Sequence, residues 1–296
     1  MFAKLVAPAT LILCGCATAN MEDATPEIGQ DAFLEACNPW DEWSKPAPPF
    51  KVYGNTYYVG TCGLAAILIT GEEGHVLIDG ASYDGGPLVE ASIAKLGFRI
   101  ENVKILLHSH EHYDHVGGLA YIQRRSGAQM IASAGAFKAL QTGETQPDDP
   151  QYGMHDPFEP LSVAFAIGSY NPVTLGNTTL MPIETPGHTA GALTWSWWSC
   201  EQSNCKTLVY ADSLSPISND EYRFGDIPLV VDFYRAGLAE LAELPCDMLL
   251  TPHPSSSQMI KRIEAAGLES GMNCPEYAKS IEARLDKRLA DEASKE

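Results

Sequence analysis

The sequence is poor in basic residues, with 19 Lys and Arg against 38 Asp and Glu, so its formal net charge is −19. It lacks a basic cluster that could follow a phosphate backbone, which excludes nucleic acid as an expected partner. After residue 19 it also lacks an apolar segment long enough to span a bilayer. With 45% hydrophobic residues, the 296-residue chain is instead typical of a globular protein with a sizeable core.

The first 19 residues have the organisation of a secretory signal. One lysine precedes an apolar run, Leu5 to Leu13, and small residues follow. Ala17-Thr18-Ala19 suits cleavage after residue 19, whereas the segment from Leu13 to Cys16 resembles a lipobox that would lipidate Cys16. We expect a signal peptide over residues 1–19 and a single periplasmic domain over residues 20–296, with a lipid anchor at Cys16 as the competing outcome.

Six cysteines follow this segment, and no C-x-x-C pair occurs among them, which disfavours a zinc site built on thiolates. An even number of cysteines in an exported chain predicts disulfides instead. The residues alone do not fix the pairing, although Cys200 and Cys205 are spaced like the closed end of a hairpin. The six are Cys37, Cys62, Cys200, Cys205, Cys246 and Cys274.

Short apolar runs alternate with helical patterns along the chain, which predicts an α/β protein. Residues 143–160 are rich in proline, glycine and aspartate and predict an irregular surface loop. Helices are predicted over residues 87–96, 117–125 and 228–244, and two more after residue 257. Strands are predicted at residues 56–59, 64–69, 75–78, 104–108, 179–183, 192–197, 207–211 and 248–251.

Five of the eight histidines lie where a predicted strand ends: His110, His112, His115, His188 and His253. Imidazole and carboxylate groups are typical zinc ligands. In an extended loop the side chains of residues 110 and 112 point the same way, so both can reach one ion. Asp114 and His115 leave that register, which makes them available to a second ion nearby.

The segment His110-Glu-His-Tyr-Asp-His115 matches the H-x-H-x-D-H motif, and the sequence resembles the metallo-β-lactamase superfamily. Three further segments resemble its B3 subclass, and the resemblance runs from about Cys37 to the C-terminus. They are the segment from Asn55 to Ile69, Gly74-His-Val-Leu-Ile-Asp-Gly80, and Tyr210-Ala-Asp-Ser-Leu-Ser215.

The resemblance implies an αββα sandwich of two mixed sheets with helices outside, and a β-lactam hydrolase with two zinc ions per chain. We expect the protein to be a monomer. His110, His112 and His188 would hold the first ion, and Asp114, His115 and His253 the second. A zinc-bound hydroxide would attack the lactam carbonyl of penicillins, cephalosporins or carbapenems. Asp114 would orient this nucleophile.

The resemblance also implies roles for two serines and a pairing of the cysteines. Ser213 and Ser215 would hydrogen-bond the substrate carboxylate. The three bridges would be Cys37–Cys62, Cys200–Cys205 and Cys246–Cys274.

Two positions bear on the choice among related functions. Relatives usually carry a small residue at the position of Glu111, which bears on substrate range and not on metal binding. In lactonase relatives an aspartate near the position of Asp212 bridges both metals, so that role would point to a lactonase or thioester hydrolase. A non-catalytic zinc-binding protein is the third alternative.

The remaining histidines and the tryptophans have ordinary structural interpretations. His75, His108 and His155 are expected to be core or surface residues. Alternation along a strand predicts that two of Trp195, Trp197 and Trp198 are buried on one face, and not that the three form a ligand platform.

Overall fold

The computed structural model describes Met1 and residues 28–294. The expected signal peptide and the lipobox at Cys16 lie outside the described residues. Among the described helices, none combines the length and the apolar character that a membrane-spanning helix needs. The described chain forms two sheets, one built from each half of the sequence.

The first sheet contains seven strands in sequential order. The first four pair antiparallel, and from the fourth strand onwards the pairing is parallel. The strands are β1 Phe50–Tyr53, β2 Thr56–Tyr58, β3 Ile67–Gly71, β4 Gly74–Ile78, β5 Val103–Leu107, β6 Gln129–Ser133 and β7 Val163–Ile167.

The second sheet contains five strands, again in sequential order. The pairing is antiparallel up to the fourth of them, and the last strand lies parallel to it. The strands are β8 Val173–Leu175, β9 Thr178–Glu184, β10 Leu193–Glu201, β11 Asn204–Tyr210 and β12 Met248–Leu250.

Eight α-helices of the described chain connect and cover these sheets. The longest begins at a capping box, in which the Asn273 side chain accepts from the Glu276 amide and the Glu276 side chain accepts from the Asn273 amide. The helices are α1 Gln30–Ala36, α2 Gly85–Lys95, α3 Tyr113–Val116, α4 Leu119–Ser126, α5 Phe137–Thr142, α6 Pro228–Glu243, α7 Met259–Ala265 and α8 Cys274–Ala293.

The sequence-based prediction of the third strand starts too early. The strand expected from Leu64 begins at Ile67, because the Thr61 amide donates to the Leu64 carbonyl over 2.8 Å and closes a turn there. The sequence analysis also missed four strands: β1, β6, and the two that follow the irregular loop, β7 and β8. The expected helices near residues 87–96 and 228–244 are present as α2 and α6.

The two sheets pack face to face, with helices on both outer surfaces. Ile67 and Leu107 of the first sheet share a buried apolar cluster with Leu193 and Tyr210 of the second. A separate cluster lies between the first sheet and α2 and α4, and another between the second sheet and α6 and α8. The expected αββα sandwich is therefore confirmed.

The hairpin of β10 and β11 shows how strand alternation sorts side chains. Trp195 and Trp197 are buried on the inner face, whereas Trp198 is 77% exposed. This agrees with the structural interpretation of the three tryptophans. Next to the turn that closes the hairpin, Cys200 lies directly opposite Cys205.

The described residues contain three disulfides, and they are the pairs that the resemblance implies. Cys37–Cys62 joins the end of α1 to the turn before β3, Cys200–Cys205 closes the hairpin, and Cys246–Cys274 joins the end of α6 to the start of α8. Each bridge links cysteines within the same half of the chain.

Candidate metal centre

Four loops that follow the carboxyl ends of strands meet at one edge of the sandwich. The loop after β5 carries residues 110–115, and the loop after β9 carries His188. The loop after β11 carries Ser213 and Ser215, and His253 follows β12. The site is thus assembled from the first sheet on one side and the second sheet on the other.

Three buried histidines form the first group of potential ligands. The ligand atoms of His110, His112 and His188 lie within 4.8 Å of one another. Their ring centroids are 4.6–4.9 Å apart, and each pair of rings is nearly perpendicular. This brings together the three residues predicted for the first ion.

The residues predicted for the second ion also lie together. Asp114 Oδ2 is 2.9 Å from His115 Nε2 and 3.3 Å from His253 Nε2. The rings of His110 and His115 are only 4.2 Å apart, so the two groups adjoin. His110, Asp114 and His115 likewise have ligand atoms within 4.8 Å of one another.

Buried polar groups fix how the histidine rings face the site. His188 Nδ1 donates to the Ser215 carbonyl over 2.7 Å, and His110 Nδ1 is 2.7 Å from Asp212 Oδ1. Both contacts leave Nε2 for a ligand. His112 has the opposite arrangement, because its Nε2 contacts Asp149 and its Nδ1 is left for a ligand. Such partners orient the rings of metal-binding histidines.

The position of Asp212 favours an orienting role over a bridging one. The side chain is fully buried, and its Oδ1 contacts His110 while its Oδ2 accepts from the Leu214 amide over 3.0 Å. Both carboxylate oxygens are therefore engaged by protein groups. The lactonase-like arrangement, in which Asp212 would bridge two metals, is not the one seen here.

The donor atoms fit a zinc centre. Among the described residues, His110 Nε2 is buried without a hydrogen-bond partner. Burial holds the pKa of His110 and of His188 well below its usual value, so both rings are neutral, the form that ligates metal. Burial opposes ionisation of Asp114, but the neighbouring His115 and His253 hold its pKa well below the usual range.

Special backbone conformations occur beside His188 and between the two predicted serines. Gly187 has φ +149°, and a Cβ there would lie 2.3 Å from the Tyr234 ring, so only glycine fits before His188. Leu214 has φ +48°, between the two serines predicted to bind substrate. Ser213 Oγ is buried and has no hydrogen-bond partner among the described residues.

A cavity of about 320 Å³ opens onto these ligands. Its wall contains both predicted serines and four of the predicted ligands, together with residues that the sequence analysis did not single out. The lining residues are Trp40, Trp43, His112, Asp114, Gln151, His155, His188, Ser213, Ser215, Ile217, His253, Ser256 and Arg284.

Several of these residues escaped sequence reasoning. His155, expected to be an ordinary structural histidine, lies with its ring 5.0 Å from that of His112. Arg284 reaches the cavity from α8, and Asp149 contacts His112 from the loop expected over residues 143–160. No local motif marks them, because their contacts arise only when distant segments pack together. His108, in contrast, lies outside the site and accepts from the Ser133 amide.

Glu111 is turned away from the ligands and joins two of the site loops. Its carboxylate accepts from Thr189 Oγ1 over 2.7 Å and from the Gly191 amide over 3.0 Å. The side chain is only 5% exposed. It therefore links the loop of His110 and His112 to the loop of His188.

Comparison with known proteins agrees with this arrangement. Residues 59–259 match the family model of the metallo-beta-lactamase superfamily. The solved structure of the MIM-2 metallo-beta-lactamase is 50% identical, with a TM-score of 0.85, and the match covers 90% of this chain and 98% of that one. MEM-A1, a subclass B3 metallo-beta-lactamase from a soil metagenome library, is 37% identical with a TM-score of 0.83, covering 86% and 100%.

A more distant similarity is to a hydroxyacylglutathione hydrolase of Bradyrhizobium sp. (strain ORS 278). It is 26% identical over 167 residues, which is 56% of this chain and 52% of the relative. The chain thus spans about half the length of the curated relatives it matches. From the family match and the solved structures together, the chain belongs to the metallo-beta-lactamase superfamily, with subclass B3 enzymes among its structural neighbours.

Proposed function

We propose that this protein is a zinc-dependent hydrolase that opens the amide bond of β-lactam antibiotics. The observation that carries the proposal is the buried group of His110, His112 and His188 beside the Asp114 carboxylate. It occurs in a chain that is 50% identical to MIM-2 over nearly the whole of that β-lactamase. Penicillins, cephalosporins and carbapenems are the proposed substrates.

Two zinc ions per chain are part of the proposal. His110, His112 and His188 would hold the first, and Asp114, His115 and His253 the second. Three protein ligands per ion leave coordination positions open, as in catalytic and not structural zinc sites. When bound, zinc lowers the pKa of water towards neutrality and polarises a carbonyl oxygen.

The protein side chains would bind and orient the reactants. Asp114 has a second oxygen, Oδ1, that can accept from the attacking water and fix its direction. Ser213 and Ser215 would hydrogen-bond the carboxylate that these antibiotics share. The free hydroxyl of Ser213 supports this role, because a buried hydroxyl without a partner is costly unless a ligand satisfies it.

We further propose that the enzyme is an exported monomer consisting of one domain over residues 20–296. Its three disulfides suit an oxidising compartment such as the periplasm. Cleavage after residue 19 and lipid attachment at Cys16 are the two alternative ways in which the signal would be processed. Mass spectrometry of the exported protein distinguishes them.

Turnover of a chromogenic cephalosporin, with and without a chelator, tests the activity. We expect hydrolysis that the chelator abolishes and added zinc restores.

His188→Ala should weaken mainly the first ion and Asp114→Ala mainly the second, as measured by elemental analysis after dialysis. One zinc equivalent or less after reconstitution would contradict the two-ion assignment. A wild-type protein that is inert towards β-lactams but cleaves a glutathione thioester would favour the thioester hydrolase alternative.

A further inference from the structure

We propose that Asp149 is a positioning residue that orients His112 towards the first ion and thereby couples the order of the 143–158 loop to metal binding. The inference rests on the metal centre of the proposed function. It does not depend on which substrate the enzyme cleaves.

The contact between Asp149 and His112 is short and buried. Both carboxylate oxygens lie near His112 Nε2, at 3.1 Å and 3.0 Å. Asp149 is 4% exposed and His112 is 2% exposed. Because Nε2 carries the proton that it donates to Asp149, the unprotonated Nδ1 is the nitrogen left to bind a metal.

His112 differs in this respect from the other histidines of the first group. His110 contacts Asp212, and His188 contacts the Ser215 carbonyl. Both partners belong to the segment after β11. The partner of the His112 ring comes instead from an irregular loop. Within the described chain, the orientation of His112 therefore depends on a segment that has no regular secondary structure of its own.

Hydrogen bonds at its base and in its middle hold the 143–158 loop in place. The Phe158 amide donates to the Gly143 carbonyl over 2.9 Å and closes the base of the loop. The Asn219 amide donates to the Pro150 carbonyl, and the Gln151 amide donates to Asp149 Oδ1 over 2.7 Å. The Asp149 carboxylate thus binds two groups, the Gln151 amide in the middle of its own loop and the ring of His112, a predicted metal ligand.

Neighbouring residues of this loop face opposite sides. Gln151 and His155 line the cavity over the ligands. Pro147, Asp148 and Pro150 line a second cavity of about 810 Å³ on the other side of the loop. Asp148 is the neighbour of Asp149 and has the same charge, but it does not contact His112. It therefore provides a matched control.

The coupling must act in both directions. A partner that fixes a ligand histidine typically raises metal affinity 10–100-fold. Because linkage is reciprocal, a metal that fixes the His112 ring stabilises the Asp149 contact and the loop by the same factor. The loop that borders the substrate cavity should therefore be more ordered in the zinc-loaded protein than in the zinc-free protein.

Limited proteolysis and zinc competition test the proposal on the full chain. Tyr152 and Met154 are exposed in the loop and offer cleavage sites for chymotrypsin. In the wild type we expect zinc to slow cleavage at these sites. Competition with a chromophoric chelator measures the affinity of the protein for each zinc ion. Asp149→Ala should lower the affinity for one ion about 10–100-fold and abolish the protection by zinc. Asp148→Asn should behave as the wild type.

The outcomes separate this proposal from the proposed function. Wild-type cleavage that is independent of zinc, or wild-type zinc affinity in Asp149→Ala, would overturn the coupling even if β-lactams are hydrolysed. Zinc-dependent protection that Asp149→Ala removes would support it even if they are not. If Asp149→Ala does not fold, Asp149→Asn decides the matter, since the amide keeps the shape but is a weaker acceptor. It should lose part of the zinc affinity and of the protection, and unchanged values would contradict the proposal.

Discussion

Ser213 contributes a buried hydroxyl that has no partner among the described residues, which leaves it available to a ligand. Ser213→Ala should raise KM more than it lowers kcat, because it removes binding common to the ground and transition states. Losing one hydrogen bond to a charged group costs about 1.5–3 kcal/mol, so kcat/KM should fall by roughly tenfold to a hundredfold. Steady-state kinetics with a penicillin measures this.

The zinc content of Ser213→Ala serves as the control for that experiment. Serine is not a ligand in the proposed centre, so elemental analysis should give the wild-type value. Loss of a metal, or a lower kcat with an unchanged KM, would contradict the proposed role.

Glu111 is expected to matter for stability and not for substrate contact. Glu111→Ala leaves the buried Gly191 amide and the Thr189 hydroxyl without their acceptor. Each unsatisfied buried group costs about 1–3 kcal/mol, so with two such groups the free energy of unfolding should fall by roughly 2–6 kcal/mol. Urea unfolding of the zinc-free protein measures the loss.

Glu111→Gln provides the matched comparison, because the amide oxygen can still accept from Gly191 and the Thr189 hydroxyl can rotate to accept from the amide nitrogen. It should remain within about 1 kcal/mol of the wild type. An equally large loss in both variants would show that charge, and not hydrogen bonding, joins the two loops.

At the residue scale, the histidines could be predicted because each occupies a position defined by its own neighbours in sequence. His188 follows a glycine that the Tyr234 ring requires, and His110 and His112 alternate on one loop. Asp149 could not be predicted in this way. Its neighbours indicate only a surface loop, and its contact with His112 is a product of tertiary packing.

At the scale of elements, the strands with strong apolar runs were predictable and the weakly patterned ones were not. β4 is buried at all five positions, and its sequence shows this directly. β7 has three exposed positions at its centre and lies at the edge of the first sheet. A strand of this kind depends on its neighbour β6 for its conformation, and sequence periodicity does not reveal that neighbour.

The disulfides should stabilise the elements they join according to the length of chain each one closes. Cys246–Cys274 has a sequence separation of 28, and Cys200–Cys205 a separation of 5. The loop-entropy model gives about 3.6 kcal/mol for the former and about 2 kcal/mol for the latter. Urea unfolding of the two paired Cys→Ala variants under non-reducing conditions measures the difference.

The cavity that is left when a buried cysteine is replaced by alanine should reinforce the same ranking of the two variants. Cys274 is fully buried between α8 and the second sheet, whereas Cys200 and Cys205 are exposed. A loss in the hairpin variant equal to or greater than that in the α6–α8 variant would contradict the ranking. Peptide mapping of the wild type confirms that the three pairs are formed in solution.

At the scale of the whole molecule, each proposed zinc ion draws ligands from both sheets. The first ion would join His110 and His112 to His188, and the second would join Asp114 and His115 to His253. Removing zinc should therefore lower the Tm of the whole domain and not only of one loop. At a zinc concentration a thousand times the Kd, each ion adds about 4 kcal/mol to the free energy of unfolding.

Thermal unfolding with and without a chelator measures this effect. The His188→Ala variant is the control, because it lacks one ligand of the first ion and should show a smaller shift on chelation. A wild-type Tm that does not change when zinc is removed would contradict the proposal that the ions join the two sheets.

The division of the ligands between the two halves also has a consequence for how the enzyme matures. None of the three bridges in the described chain crosses from one half to the other, so within the described residues only the backbone joins the halves covalently. The ligand set of the first ion is incomplete until His188 has been synthesised, and that of the second until His253 has been. A nascent or truncated chain would therefore carry only partial sets. Uptake of zinc should be a late event in maturation, and the zinc content of a preparation then reports the fraction of molecules in which both halves have folded and docked.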